Sequence, residues 1–247
     1  HVHLIQTGQA MTGLGLGDAT SRVDALERVA AYARRHPQVQ VIVGHGWDER
    51  AWPEPQPPTR AELDRAAAGV AVYLARVDVH SAVVSSTLLD QLPAVSTAVG
   101  YRSDGLLTRE AHHLCRGSLD RLFTDQERRS AARTALWTAA GQGVAAVHDL
   151  GGPHLGPIED LTRVREVAAD LGVGVTTYWG ELATEPTIEW ARRAGIAGLA
   201  GDLCVDGAIG SHTASLREHY ADADSCGARY LSEQQIADHV IACTRAG

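Results

Sequence analysis

His1-Val2-His3 opens a short run that continues into the apolar Leu4-Ile5. Side chains two apart on a β-strand leave from one face, so if residues 1–4 end a strand, two imidazoles converge on one point. Neutral imidazole offers a nitrogen lone pair, and such a pair suits a divalent metal. In a chain with 12 histidines an H-x-H can arise by chance, so this one gains weight only from what lies elsewhere. Two other apolar runs also end in polar residues. His148-Asp149 closes the run 144–147 and leads into Gly151-Gly152-Pro153. Asp202, Asp206 and His212 bracket 203–205 and the loop 207–211. Imidazole with carboxylate is a donor mix that zinc and similar ions accept. Taken singly, each of these residues reads either as a ligand or as a hydrogen-bonded loop histidine or helix-capping aspartate. Their joint placement at strand ends is what favours a site.

Composition removes several chemistries. The sequence contains no lysine, so its 22 basic residues are all arginine. A Schiff-base lysine, a phosphate-loop lysine and a carboxylated lysine are therefore excluded within these residues. Net charge is −8 and the arginines form no run, which argues against nucleic acid as a partner. No apolar stretch approaches the ~18 residues needed to span a bilayer. Cys115, Cys204, Cys226 and Cys243 are far apart and form no C-x-x-C, as expected of reduced, mostly buried thiols in a cytoplasmic protein. The first residue is His rather than Met, so the span reads as an excerpt in which a targeting signal cannot be judged.

The elements that must position these residues alternate along the chain. Candidate strands at 39–43, 70–75, 144–148, 173–178 and 203–205 are continuously apolar, as strands buried on both faces are. Helix starts stand between them. Ser21 precedes Asp24 by three residues, and Thr59/Glu62, Thr124/Glu127 and Ser232/Gln235 have capping-box spacing. Strand and helix in alternation predict an α/β fold with right-handed crossovers. From Val144 onward the units have the size of a βα repeat of roughly 30 residues, whereas Leu4 to Thr124 is far longer than one such unit. The expected fold is a partial (β/α)8 barrel with a large α/β insertion, 38–123, after the first strand. Residues 1–247 would be its N-terminal half. Gly13-x-Gly15-x-Gly17 imitates a phosphate-binding loop, but it lacks the spacing of G-x-G-x-x-G and Asp18 would repel phosphate; it is expected to be a flexible strand-to-helix loop. His112-His113 is expected on the surface.

Five blocks in order carry a resemblance: His1-Val2-His3-Leu4; Gly44-His45-Gly46-Trp47-Asp48-Glu49 with Trp52; Arg76-Val77-Asp78-Val79-His80-Ser81; Val147-His148-Asp149-Leu150-Gly151-Gly152-Pro153; and Val205-Asp206-Gly207-Ala208-Ile209-Gly210-Ser211-His212-Thr213-Ala214. Together they resemble the amidohydrolase superfamily, and within it the amidohydrolase-3 group of metal-dependent hydrolases. The resemblance runs from residue 1 to 247 and implies a (β/α)8 barrel with a small β-sandwich. It also implies hydrolysis of C–N bonds other than peptide bonds, in amide or formamide-like small molecules, with one or two divalent ions, zinc foremost. His1 and His3 match the first-strand metal ligands. Asp202 falls where many relatives have a lysine that bridges two metals as a carbamate; it could stand in as a shorter anionic ligand, or the site could hold one metal. The family's later histidines and its general base are expected beyond Gly247, so this span alone is expected to be inactive. Around the metal, Trp47, Arg76, His80, His148 and His212 are candidate substrate-binding residues. Trp47 could equally be core, and Arg76 an ordinary ion pair. A non-catalytic barrel that binds a small molecule is the competing reading. The resemblance leaves a homo-oligomer open.

Overall fold

The structure, a computed structural model, describes residues 1–247 apart from the side chains of Asp120 and Arg121. In chain order the first elements are α1 (Leu4–Thr12), β1 (Leu14–Gly15), α2 (Arg22–Arg35), β2 (Val41–Trp47), α3 (Arg60–Ala66), β3 (Ala71–Arg76) and β4 (Ser81–Val84). There follow α4 (Ser86–Gln91), β5 (Leu106–Thr108), α5 (Arg109–Ser118), α6 (Asp125–Gly141), β6 (Ala146–Gly151) and α7 (Asp160–Leu171). The last are β7 (Gly174–Trp179), α8 (Glu185–Arg193) and α9 (Glu233–Ala246). Two compact units result. The first comprises His1–Met11, Phe123–Asp206 and Ala228–Gly247; the second comprises Thr12–Leu122 and Gly207–Gly227. Residues 38–122 lie in the second unit together with 12–37 and the loop 207–227.

The first unit is an open, barrel-like parallel sheet. β6 pairs in parallel with β7. Val2 bridges in parallel to Asp149 on one side, and Gly198 bridges in parallel to Tyr178 on the other. Four chain segments thus lie side by side in sequence order, with α6, α7 and α8 between successive ones, which is the strand–helix alternation of a (β/α) barrel left unclosed. Val2, Val147 and Val175 face the helices, where they pack on Leu4, Ile5, Ala131, Ala135, Leu136, Val164 and Val167. Alternation then puts His1, His3, His148 and Tyr178 on the other face of the sheet.

The second unit is a mixed sheet of order β1-β2-β3-β4-β5, parallel through β3 and antiparallel from there on. All six residues of β3 are buried, as its unbroken apolar run predicts. One face packs Ile42, Val72, Leu74 and Val83 against Ala25, Val29 and Leu63 of α2 and α3. On the other, Tyr73 meets His112 of α5, with its hydroxyl 2.9 Å from Nε2.

The cap signals hold. Ser21 accepts from the Asp24 N–H, and the boxes at Thr59, Thr124 and Ser232 are complete. Four expectations need correction. Residues 1–4 make a single bridge rather than a strand end, because Asp149 Oδ1 accepts the Leu4 N–H at 2.8 Å and starts α1 there. Residues 203–205 form no assigned strand, and the place beside β7 is taken by Gly198. Within the glycine-rich stretch, Leu14-Gly15 pairs with Gly44-His45 as an edge strand. His112 is 1% exposed, because its ring is the partner that the buried Tyr73 hydroxyl requires. The four cysteines are free, but only Cys115 is fully buried.

Candidate metal centre

The start of α1 decides where His3 points. With Val2 held between His148 and Leu150 by backbone hydrogen bonds of 3.0 and 2.9 Å, His3 is the last residue before the helix. Its Nδ1 lies 2.6 Å from the Leu150 carbonyl. A carbonyl only accepts, so Nδ1 carries the proton and donates it, which leaves the Nε2 lone pair available for a ligand. Nε2 lies 3.6 Å from Asp202 Oδ1. The His1 ring sits edge-on to the His3 ring with centroids 5.2 Å apart. Ligand atoms of His1, His3 and Asp202 all fall within 4.8 Å of one another.

Asp202 reaches this point through two glycines. Gly201 has φ +92°, and a Cβ on it would stand 1.9 Å from Leu150 Cδ2. A Cβ on Gly180 would stand 2.6 Å from the Asp202 carbonyl oxygen. Only glycine allows the 201–202 backbone to approach β6 and β7 this closely. The second carboxylate oxygen, Oδ2, lies 2.7 Å from His154 Nε2. Cys204 Sγ is 3.7 Å from the same nitrogen, and these three residues form a second cluster of ligand atoms around Asp202. Burial disfavours a charged His154 ring, but its contacts with Asp202 and Cys204 outweigh this and raise its pKa to about 9.

The donor set fits a divalent ion. Ligands at 2.0–2.2 Å in a tetrahedron stand about 3.3–3.6 Å apart, which spans the His3–Asp202 separation of 3.6 Å. The Leu150 carbonyl is the kind of partner that ligating histidines require on their other nitrogen. Zinc is not distinguished from similar ions by this geometry.

The model of the amidohydrolase family matches residues 1–247. The chain belongs to this family. Among relatives, "Putative amidohydrolase YtcJ" of Bacillus subtilis (strain 168) is 24% identical over 260 residues, covering 98% of this chain and 48% of that protein. Two crystal structures of uncharacterized metal-dependent hydrolases share the fold. The one from Pyrococcus horikoshii OT3 has a TM-score of 0.67 at 19% identity, over 100% of this chain and 50% of its own. The one from Pyrococcus furiosus has a TM-score of 0.62 at 21% identity, over 100% and 52%. This amidohydrolase chain thus spans about half the length of the relatives it matches.

The remaining sequence-predicted residues divide between the units. His148 is exposed on the sheet face that carries His1 and His3, with Nδ1 3.0 Å from the Tyr178 hydroxyl. Trp47 is core of the second unit: its indole is 1% exposed and donates to the Leu74 carbonyl at 3.0 Å. Arg76 is a buried ion-pair hub that donates to Glu49 at 3.0 Å, Asp78 at 2.8 Å and Asp48 at 3.2 Å. His80 is half-buried, and its N–H donates to Asp78. His212, at φ +53°, pairs with Asp222 at 3.0 Å and stands edge-on to Tyr220. Sequence reasoning missed His154 and Cys204. The i, i+2 spacing of Asp202 and Cys204 was a usable signal, since it puts both on one side of an extended segment. Nothing local marked His154. Asp149, grouped with His148 in the sequence, faces the helices; burial raises its pKa to about 6 despite the Leu4 N–H.

Proposed function

We propose that the intact protein is a metal-dependent hydrolase of C–N bonds other than peptide bonds, acting on amide or formamide-like small molecules through metal-activated water. The reading is carried by one observation: His1, His3 and Asp202 bring their ligand atoms within 4.8 Å, and His3 is held in the tautomer that ligation needs. His1, His3 and Asp202 would hold the ion, for which zinc is the choice. When bound, a divalent ion polarises a carbonyl and lowers the pKa of water from 15.7 toward about 7. The chain's own groups do the positioning. The Leu150 carbonyl keeps the His3 ring turned toward Asp202. Asp202 supplies the anionic oxygen at the place where relatives have lysine. His148 and Tyr178, hydrogen-bonded on the same sheet face, offer a donor or acceptor to a substrate carbonyl.

We read residues 1–247 as the N-terminal half of the barrel, with 38–123 inserted after the first strand and the general base outside this span. Four parallel segments in sequence order support this. No helix among the described residues is long and apolar enough to cross a membrane. With four free cysteines and a net charge of −8, this fits a cytoplasmic protein whose partner is a small molecule rather than nucleic acid.

The test is metal analysis and hydrolysis by the intact protein over a panel of amides and formamides. His3→Ala is expected to lower metal content and turnover at least about tenfold, the usual scale for losing one contributor to a metal site. Wild-type protein free of metal after metal-replete expression would refute the proposal. Tight metal binding without turnover on any substrate would favour a small-molecule-binding barrel instead.

A further inference from the structure

β1 ends the order of its sheet, with β2 on one side only. The Leu16 N–H just beyond it donates to the His45 carbonyl at 2.8 Å. Backbone groups alternate sides along a strand, so the N–H and C=O of Gly13 and Gly15 turn away from β2. A cavity of about 340 Å³ is lined by residues 13–15 and by a stripe of α2, Arg28, Tyr32 and Arg35, with the following His36. A Cβ on Gly15 would meet nothing within 4 Å, so the strand is open there. Because β1 and β2 are parallel, α2 runs back between their ends. Arg35 and His36 therefore stand toward Gly13, and Arg28 toward Gly15. The two ends differ in charge. Arg28 is answered by Asp18 and Asp24, and Asp18, which would repel an anion if free, is spent in that pair. The Arg35 guanidinium uses only Nε, on the Ala31 carbonyl at 3.3 Å, and has no ion pair among the described residues. The His36 ring lies against Tyr32, with centroids 4.3 Å apart.

We propose that this cavity binds a short, extended acidic peptide, laid antiparallel to β1 with its C-terminal carboxylate on Arg35 and His36. An edge that alternates donor and acceptor matches the same alternation in a peptide backbone, whereas phosphate only accepts. The guanidinium fork of Arg35 suits a carboxylate. The antiparallel direction follows from charge, since the unanswered cation stands at the Gly13 end, where β1 begins. The edge is three residues long, and the cavity is at the small end of the roughly 300–1,000 Å³ of ligand pockets, so it holds two or three residues of the peptide. No covalent bond changes, and the metal centre takes no part.

The test is calorimetric titration of the intact protein with the free acid of an acetylated valine–threonine–aspartate tripeptide. Saturable one-to-one binding is expected. Arg35→Gln should weaken it about tenfold, the scale of one hydrogen bond to a charged group. Arg34→Gln, one residue away and outside the cavity lining, should leave it within about twofold. N-methylation of the peptide's threonine amide should weaken binding at least about tenfold, because a hydrogen bond is lost and a methyl group is set against the strand. A wild-type protein that does not bind the tripeptide overturns the proposal, and no variant needs to fold for that result. So does a peptide indifferent to N-methylation, or one displaced by inorganic phosphate of equal affinity, since the cavity would then be a basic patch for any anion. Binding lost in His3→Ala and kept in Arg35→Gln would belong to the metal centre and would also overturn it.

Discussion

In the second unit the guanidinium of Arg76, 2% exposed, is met by Asp48, Glu49 and Asp78; the Ser211 hydroxyl donates to the far side of Asp78 at 2.8 Å and lies 2.8 Å from the Ser81 hydroxyl. In the first, His1, His3, His154 and Cys204 gather round Asp202, which lies 2.7 Å from His154 Nε2 and 3.6 Å from His3 Nε2. Both clusters are polar and partly buried. The Arg76 cluster satisfies itself, since each donor finds an anionic acceptor, and a buried charge so answered is part of the architecture. The Asp202 cluster brings imidazole, carboxylate and thiol groups together in two overlapping sets of three whose ligand atoms lie within 4.8 Å of one another. The contrast teaches that clustering and burial alone do not mark a site; groups able to ligate and not already answered by an opposite charge are what make the Asp202 cluster a candidate.

The largest break in this contrast is Arg76→Ala. It leaves Glu49 and Asp78 without the Arg76 guanidinium and Asp48 with Arg50 alone, and a loss of about 3–5 kcal/mol in urea unfolding is expected. Metal bound per folded chain should not change. A loss under about 1 kcal/mol would mean that the hub is only a surface arrangement.

Acid should separate the units in sign. Burial, then the charge of Arg116, lowers the His45 pKa to about 4. A base depressed in the folded state stabilises it above its ordinary pKa of 6.5, and that stability is lost as pH falls through 6.5 toward 4. Asp149 is the opposite case, raised from 3.8 to about 6. Its contribution is full below pH 3.8 and is lost as pH rises through 6. Each spans about 3–3.5 kcal/mol at the most, at about 1.4 kcal/mol per tenfold in proton affinity. His45→Gln should flatten the acid-side loss of stability between pH 6.5 and 4. Asp149→Asn should raise stability at pH 8 and leave it unchanged at pH 3.5, because the amide oxygen still accepts from Leu4. Parallel pH profiles for wild type and both variants would contradict these assignments.

Gly201→Ala sharpens the contrast from the metal side. A Cβ there meets Leu150 on a backbone at φ +92°, so about 1–3 kcal/mol of stability should be lost. Metal content should fall with it, since Asp202 must shift; the same substitution at Gly69, where a Cβ meets nothing within 4 Å, should leave metal content intact. The smallest effect is expected at the capping box of α6. Thr124→Ala should cost about 1 kcal/mol by thermal unfolding, with no change in metal binding.

Much of this was local and therefore readable. Capping side chains act within three residues of themselves, so Ser21, Thr59, Thr124 and Ser232 announced their helices from the sequence alone. The apolar runs behind β2, β3, β6 and β7 announced a parallel α/β sheet, and H-x-H with the lysine-free Asp202 block named three residues whose ligand atoms the fold brings within 4.8 Å. What lay outside the sequence was every relation across long separations. Asp149 ends the first segment from 145 residues away, and Leu150 sets the His3 tautomer from 147. His154 joins Asp202 across 48 residues. Trp47 and Arg76 carry side chains that suit a pocket wall as well as a core, and only their neighbours made them core and ion pair. The residue types and their short-range order are properties of the chain; which lone pairs end up facing each other depends on packing that brings distant segments together, and only the folded structure decides that.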